Sequence, residues 1–158
     1  MVALAEFEAF GQAYAQDIVK NAKVFAEALA SEGFDVLAES RGYTASHQVL
    51  TRHGEIDSGA GARAAKKLED AGIITNMNML PGDTKAMTPS GLRLGVQELT
   101  RVGMGGNEMT EVAALYARVL IKEEDPASVR RDVHQLKSNF QHVHYCFDSE
   151  TIPAYEGM

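Results

Sequence analysis

Apolar residues in the first thirty positions fall on a single stripe. Phe7, Phe10, Tyr14, Ile18, Ala22, Phe25 and Leu29 recur at spacings of three and four, the period of an amphipathic helix, and predict one helix over 4–31. Gly33 stands just past its end, where a glycine commonly closes a helix. At 1.5 Å per residue such a helix is about 40 Å long, more than a small domain can cover. Its N-terminal half is therefore expected to lie against something outside the domain.

The period then shortens. Phe34-Asp35-Val36-Leu37 and Ser46-His47-Gln48-Val49-Leu50-Thr51 read as short strands around a turn region that contains Gly42. Residues 58–70 return to the helical period, with Ala62, Ala65 and Leu68 on the apolar face and Gly72 as the stop. Ile73-Ile74-Thr75 reads as a strand and 76–91 as a loop, after which Leu92-Arg93-Leu94 alternates as a strand does. Val96–Arg101 opens a short helix that Gly103, Gly105 and Gly106 break. Met109, Val112, Leu115, Tyr116, Val119 and Leu120 predict a helix over 107–122. A last helix is expected to about Phe140, with Asp125 as N-cap and Pro126 at its first position. The tail from His142 is aromatic but has no regular period. The order α-β-β-α-β-loop-β-α-α predicts an α+β fold, a small antiparallel or mixed sheet covered by helices on one face.

Composition narrows the function classes. With 158 residues, 45% hydrophobic and 23% charged, the chain belongs among soluble globular proteins with one proper core. A net charge of −7 supplies no basic surface for phosphates, so nucleic-acid binding is not expected. No apolar run approaches the roughly 18 residues that span a bilayer, so no membrane partner is expected. The opening Met-Val-Ala-Leu-Ala-Glu-Phe-Glu lacks the basic start of a signal peptide. A single cysteine, Cys146, forms no internal disulfide and suits a reducing cytoplasm.

Arg93 is the sharpest candidate for chemistry. A cation set between two leucines and two glycines after a long loop is costly unless paired. It is either a structural ion-pair member or the receptor for an anionic ligand, and its planar fork suits a carboxylate. Asn76 and Asn78 either shape a turn or present carboxamides to a ligand. Pro81-Gly82-Asp83 reads as a turn signal only. His47 on a presumed strand is either a satisfied histidine or a site residue. His142, His144 and Cys146 would share one face of a strand, but no CxxC or HExxH accompanies them and no metal site is expected. No Ser-His-Asp order, carboxylate pair or P-loop is recognisable.

Several segments in order carry a resemblance. Ile18–Lys23, Gly33-Phe34, Ser46-His47-Gln48, Lys66–Ile73, Asn76-Met77-Asn78-Met79-Leu80-Pro81 and Ser90–Gly95 resemble serine hydroxymethyltransferases over about residues 10 to 122. Gly95–Arg101 and the tail Val143-His144-Tyr145-Cys146-Phe147-Asp148 look like an offshoot that includes threonine-type transaldolases. The match is to the C-terminal small domain of a fold-type I pyridoxal phosphate enzyme. It implies a linking helix at 1–32, a small-domain core at 33–125 and a C-terminal helix and tail at 126–158.

The resemblance also assigns roles. It gives Arg93 the substrate carboxylate, places Ser90 in the same substrate-binding motif, and sets Asn78 beside the folate, with Asn76 and His47 as further site residues. The lysine that binds the cofactor has no counterpart in this chain, so no catalytic residue is expected here. Pyridoxal 5'-phosphate would be held mainly by a large domain on a partner chain, in a hetero-oligomer acting on glycine, serine or threonine. Alone, the chain is expected to be inactive. With tetrahydrofolate the reaction would be hydroxymethyl transfer, and with an aldehyde acceptor transaldolation. Met77 stands where the family has a lysine and the following loop is one residue shorter than in common bacterial members, departures that tilt the reading away from folate. The rival reading is a non-catalytic regulatory or remnant domain that binds a full-length relative.

Overall fold

Helix α1 spans Val2–Ser31, 30 residues, and so extends about 45 Å. Burial along it is uneven. Ala22, Phe25, Ala26 and Leu29 are buried, whereas Leu4 and Phe7 are 75% and 72% exposed. Burying Phe25 and Leu29 contributes about 1.5–3 kcal/mol each, so the C-terminal half of α1 is held by its own apolar face. Two polar ties add to this grip. Asn21 Nδ2 donates to Thr100 Oγ1 at 3.0 Å and to the Met104 carbonyl at 2.9 Å, both in a buried setting. Tyr14 donates to the Gln97 carbonyl at 2.9 Å.

The computed structural model describes residues 2–148 and 153–154. Strands β1 (Asp35–Val36), β2 (Gln48–Arg52), β3 (Asn76–Asn78) and β4 (Gly91–Gly95) form one antiparallel sheet in the order β1-β2-β4-β3. A 3₁₀ turn, Glu39–Arg41, joins the first two strands. Helices α2 (Ala60–Asp70), α3 (Gln97–Arg101), α4 (Gly106–Leu120) and α5 (Pro126–Ser138) complete an α+β fold, as the periodicity predicts. Asp125 caps α5 by accepting from the Ala127 N–H, with Pro126 at the first turn.

A strand's period of two sorts the sheet into an inner and an outer face. Val49, Thr51, Leu92 and Leu94 are buried on the inner one, where the apolar residues join Phe25, Leu68, Met109 and Tyr116 in the core. Gln48, Leu50, Gly91, Arg93, Gly95 and Asn76 share the other face through the β2-β4-β3 register.

One predicted element is displaced. The strand expected at 73–75 lies at 76–78. Gly72, at φ +79°, turns the chain out of α2 in the left-handed region, and the Ile73 N–H still bonds back to the Leu68 carbonyl at 2.9 Å. Ile73-Ile74-Thr75 is thus the exit from a helix, with Ile74 exposed, and the asparagine pair makes the strand. Asparagine is depleted in strands, which is why the pattern read as a loop. The connection from β3 to β4 is therefore 79–90.

The aperiodic tail also has a place. Residues 141–148 run back over α1 and α3. Tyr145 donates to Asp17 at 2.7 Å, Phe147 meets Phe10 edge-on with centroids 5.5 Å apart, and the His144 N–H bonds the Arg101 carbonyl at 2.7 Å. This covers part of the N-terminal half of α1. Residues 149–152 and 155–158 of the tail lie outside the described residues, as does Met1. Among the described residues no helix is long and apolar enough to cross a membrane.

Candidate functional site

Arg93 occupies the middle of β4, on the outer face, between Leu50 of β2 and Asn76 of β3. Its side chain is exposed, and among the described residues its guanidinium makes no hydrogen bond or ion pair. Arg52 on the same face is different, because it pairs with Asp35 at 3.5 Å. Of the two readings open for Arg93, the structural ion pair has no partner in the described residues.

The flanking glycines have a definite use. A Cβ on Gly91 would run into the Leu80 side chain, and one on Gly95 would run into the Gln97 carboxamide. Leu80 and Gln97 thus frame the two ends of the strand, with the guanidinium between them. The space the glycines leave is filled by protein.

A cleft of about 360 Å³ opens beside β4 and is lined by Arg93, Asn76, His47, Gln48, Gln97 and Tyr116, among others. Three candidates from the sequence, Arg93, Asn76 and His47, therefore converge. Two do not line this cleft. Asn78 lies one pair further along β3, opposite Gly91, and its carboxamide donates to the Met79 carbonyl at 2.6 Å. Ser90 is fully buried and its hydroxyl donates to Asp83 Oδ2 at 2.8 Å, so it is turned into the β3–β4 connection.

That connection has a hub which sequence reasoning passed over. Asp83 accepts from the N–H groups of Asp57, Leu80 and Ser90 at 2.8–2.9 Å, as well as from the Ser90 hydroxyl. The Asp57 N–H foremost, with the other two, holds the Asp83 carboxyl far below the usual carboxylate range. Asp57 in turn accepts from the Thr84 hydroxyl and from the N–H groups of Thr84 and Lys85, and its carboxyl is also lowered, chiefly by the Thr84 hydroxyl. Asp83 carried a signal, since it closes a Pro-Gly-Asp turn, but nothing in the sequence tied it to Asp57.

Tyr116 was visible only as a core residue of its helix. It lies at the back of the cleft, and burial pushes its phenol above the usual range, so it stays neutral. Thr75 also lines the cleft, with a buried hydroxyl that has no partner among the described residues. His144 packs against Gly103 and the Cys146 thiol donates weakly to the Val143 carbonyl at 3.4 Å. Among the described residues no three metal-ligating side chains converge.

Chemically, the cleft can hold a planar anion at Arg93 with carboxamides and an imidazole around it. The sheet and its helical cover are those of the small domain of fold-type I pyridoxal phosphate enzymes. The chain belongs to the serine hydroxymethyltransferase family, whose model matches residues 2–116. It is 53% identical over 150 residues to the serine hydroxymethyltransferase of Thermococcus kodakarensis, covering 94% of this chain and 35% of that protein. The Korarchaeum cryptofilum serine hydroxymethyltransferase is 51% identical over 160 residues, covering 98% of this chain and 36% of that one. Among solved structures, the L-threonine transaldolase from Pseudomonas fluorescens superposes with a TM-score of 0.84 at 34% identity, covering 94% of this chain and 33% of that one. The chain spans about a third of the length of these relatives.

Proposed function

We propose that this chain is the small-domain subunit of a split pyridoxal phosphate enzyme that forms or cleaves the Cα–Cβ bond of a β-hydroxy amino acid. Arg93 grips the carboxylate of that amino acid. The observation that carries this reading is the guanidinium itself, exposed beside a cleft with no partner among the described residues. Such a fork takes a carboxylate with two parallel N–H···O bonds, which fixes the plane of one Cα substituent and so the direction of the others. Asn76 and His47 would bound the same substrate, and Asn78 and Ser90 would set the strand ends beside it.

Pyridoxal phosphate supplies, when bound, an electron sink for negative charge at Cα. The cleft does not fit that cofactor alone, because a guanidinium, carboxamides and an imidazole line it and no lysine amine does. Cofactor chemistry is therefore assigned to the large domain, and this chain binds and orients. A large domain on a separate chain would cover the exposed Leu4 and Phe7 of α1, which serves as the linking helix. Met77, 43% exposed, gives this edge a thioether where the family has a lysine, and so supports transfer to an aldehyde over tetrahydrofolate.

Co-expression with a large-domain chain tests the reading. A stable complex should turn over L-serine or L-threonine, and Arg93→Ala should lower kcat/KM by on the order of 10²–10³-fold. Arg93→Lys should restore only part, because an ammonium lacks the fork. No complex, or a large chain equally active alone, would move the assignment to a non-catalytic regulatory domain.

A further inference from the structure

We infer that Asp83 and Asp57 form a positioning pair for Arg93, a reciprocal latch that sets the carboxylate receptor at its working place; the inference rests on the reading of Arg93 given above. The connection between β3 and β4 is twelve residues long, 79–90, and joins the two strands that carry Asn76 and Arg93. A connection of that length costs entropy to close, and the three β3–β4 pairs that hold its ends would leave its own course free. Asp83 removes that freedom. One oxygen, Oδ2, takes the N–H of Leu80 near the start, and the N–H and hydroxyl of Ser90 at the end, at 2.8–2.9 Å. The other, Oδ1, takes the N–H of Asp57 at 2.8 Å from the segment between β2 and α2.

Asp57 closes the ring from its own side. Its carboxylate holds Thr84 and Lys85, the two residues that follow Asp83, through three bonds of 2.7–2.9 Å. Seven hydrogen bonds thus run to two carboxylates, each oxygen used, and four of them join the two segments. Charge-assisted bonds of this kind are short and about twice as strong as neutral ones.

The path from latch to guanidinium is short. Ser90 precedes β4, and its carbonyl accepts the His53 N–H at 2.9 Å, which extends the β2–β4 ladder by one rung. Leu80, held by Asp83, fills the space over Gly91 on the face that carries Arg93. Arg93 therefore stands three residues from one fixed point, on a strand whose outer face begins at another. An arginine on an unlatched connection would still be present but misplaced, and a misplacement of about 1 Å can cost on the order of 10²-fold in rate.

The test is a double-mutant cycle in the assembled enzyme, chain plus large domain, with L-serine or L-threonine, whichever is turned over. Asp83→Ala should lower kcat/KM about 100-fold with the loss mostly in KM, while Asp83→Asn, which keeps the acceptor facing Leu80 and Ser90, should stay within about 10-fold. In the Arg93→Ala background the same Asp83→Ala change should cost less than about 3-fold, since there is no receptor left to position. Equal penalties with and without Arg93, or native kcat/KM in Asp83→Ala, would overturn the latch. An Arg93→Ala enzyme with native kinetics would instead overturn the carboxylate reading, and the latch with it. Should Asp83→Ala fail to fold, Thr84→Val loosens only the Asp57 side, and the same coupling with Arg93 decides.

Discussion

Gly61→Ala sets two effects of opposite sign against each other, and the structure decides between them. In the first turn of α2, exchanging glycine for alanine should stabilise the helix by up to about 1 kcal/mol. Against this, a Cβ at Gly61 would meet the backbone of Gly91 in β4, with the Gly91 nitrogen and carbonyl carbon at 2.8 Å and the oxygen closer still. Ordinary contact is about 3.5–4.0 Å, so helix or strand must yield by roughly 0.7 Å or more. The obstacle is backbone within the sheet, not the end of a flexible side chain, and overpacking of this kind costs about 1–3 kcal/mol or more. The net expectation is a loss of about 2 kcal/mol. For a chain of this size that lowers Tm by roughly 4–8 °C in thermal unfolding followed by circular dichroism. Gly106→Ala is the matched control. There the new Cβ meets only Val24 at 3.7 Å, so the variant should be unchanged or up to about 1 kcal/mol more stable. A Gly61→Ala chain that melts at or above the parent would mean that α2 is not seated on β4, and the placement of Gly91 beside Arg93 would be wrong with it.

Two further outcomes concern buried polar groups. Asn21→Ala leaves the Met104 carbonyl without its donor and takes one partner from Thr100, so urea unfolding should register a loss of about 2–3 kcal/mol; a change under about 0.5 kcal/mol would contradict the contact. His53 is held at a pKa of about 4 by burial, with Asp35 pulling weakly upward, against an unfolded value near 6.5. The unfolded chain binds the extra proton between those values, so this stability is fully present above about pH 6.5 and is lost as pH falls towards 4. The parent should lose roughly 2 kcal/mol between pH 7 and 4.5, a loss absent from His53→Gln, and identical pH profiles would rule His53 out.

How much of this was legible in the sequence depends on what each contact answers to. The α1 stripe and the N-cap at Asp125 follow from local rules, and both stand where periodicity and capping put them. The β3 strand did not, because its asparagines are poor strand formers, and what makes them a strand is pairing with Gly91, Leu92 and Arg93, 13 to 17 residues on. Long-range pairing of that kind leaves no local mark.

The site divides along the same line. Arg93 stood out because a lone cation amid leucines and glycines violates the apolar pattern, and such violations collect where function does. Asn76 and His47 gain meaning only once the register sets them beside the same cleft. Asp57 and Asp83 broke no pattern at all. Aspartates near turns are commonplace, and only the fold brings two of them, 26 residues apart, into one reciprocal network. A cation displayed on an open sheet face can be read from a sequence, whereas these two anions act mostly on backbone N–H groups, which every residue but proline supplies. Supports of this kind are written in geometry, and in this chain they tie down the connection that leads into the strand with the arginine on it.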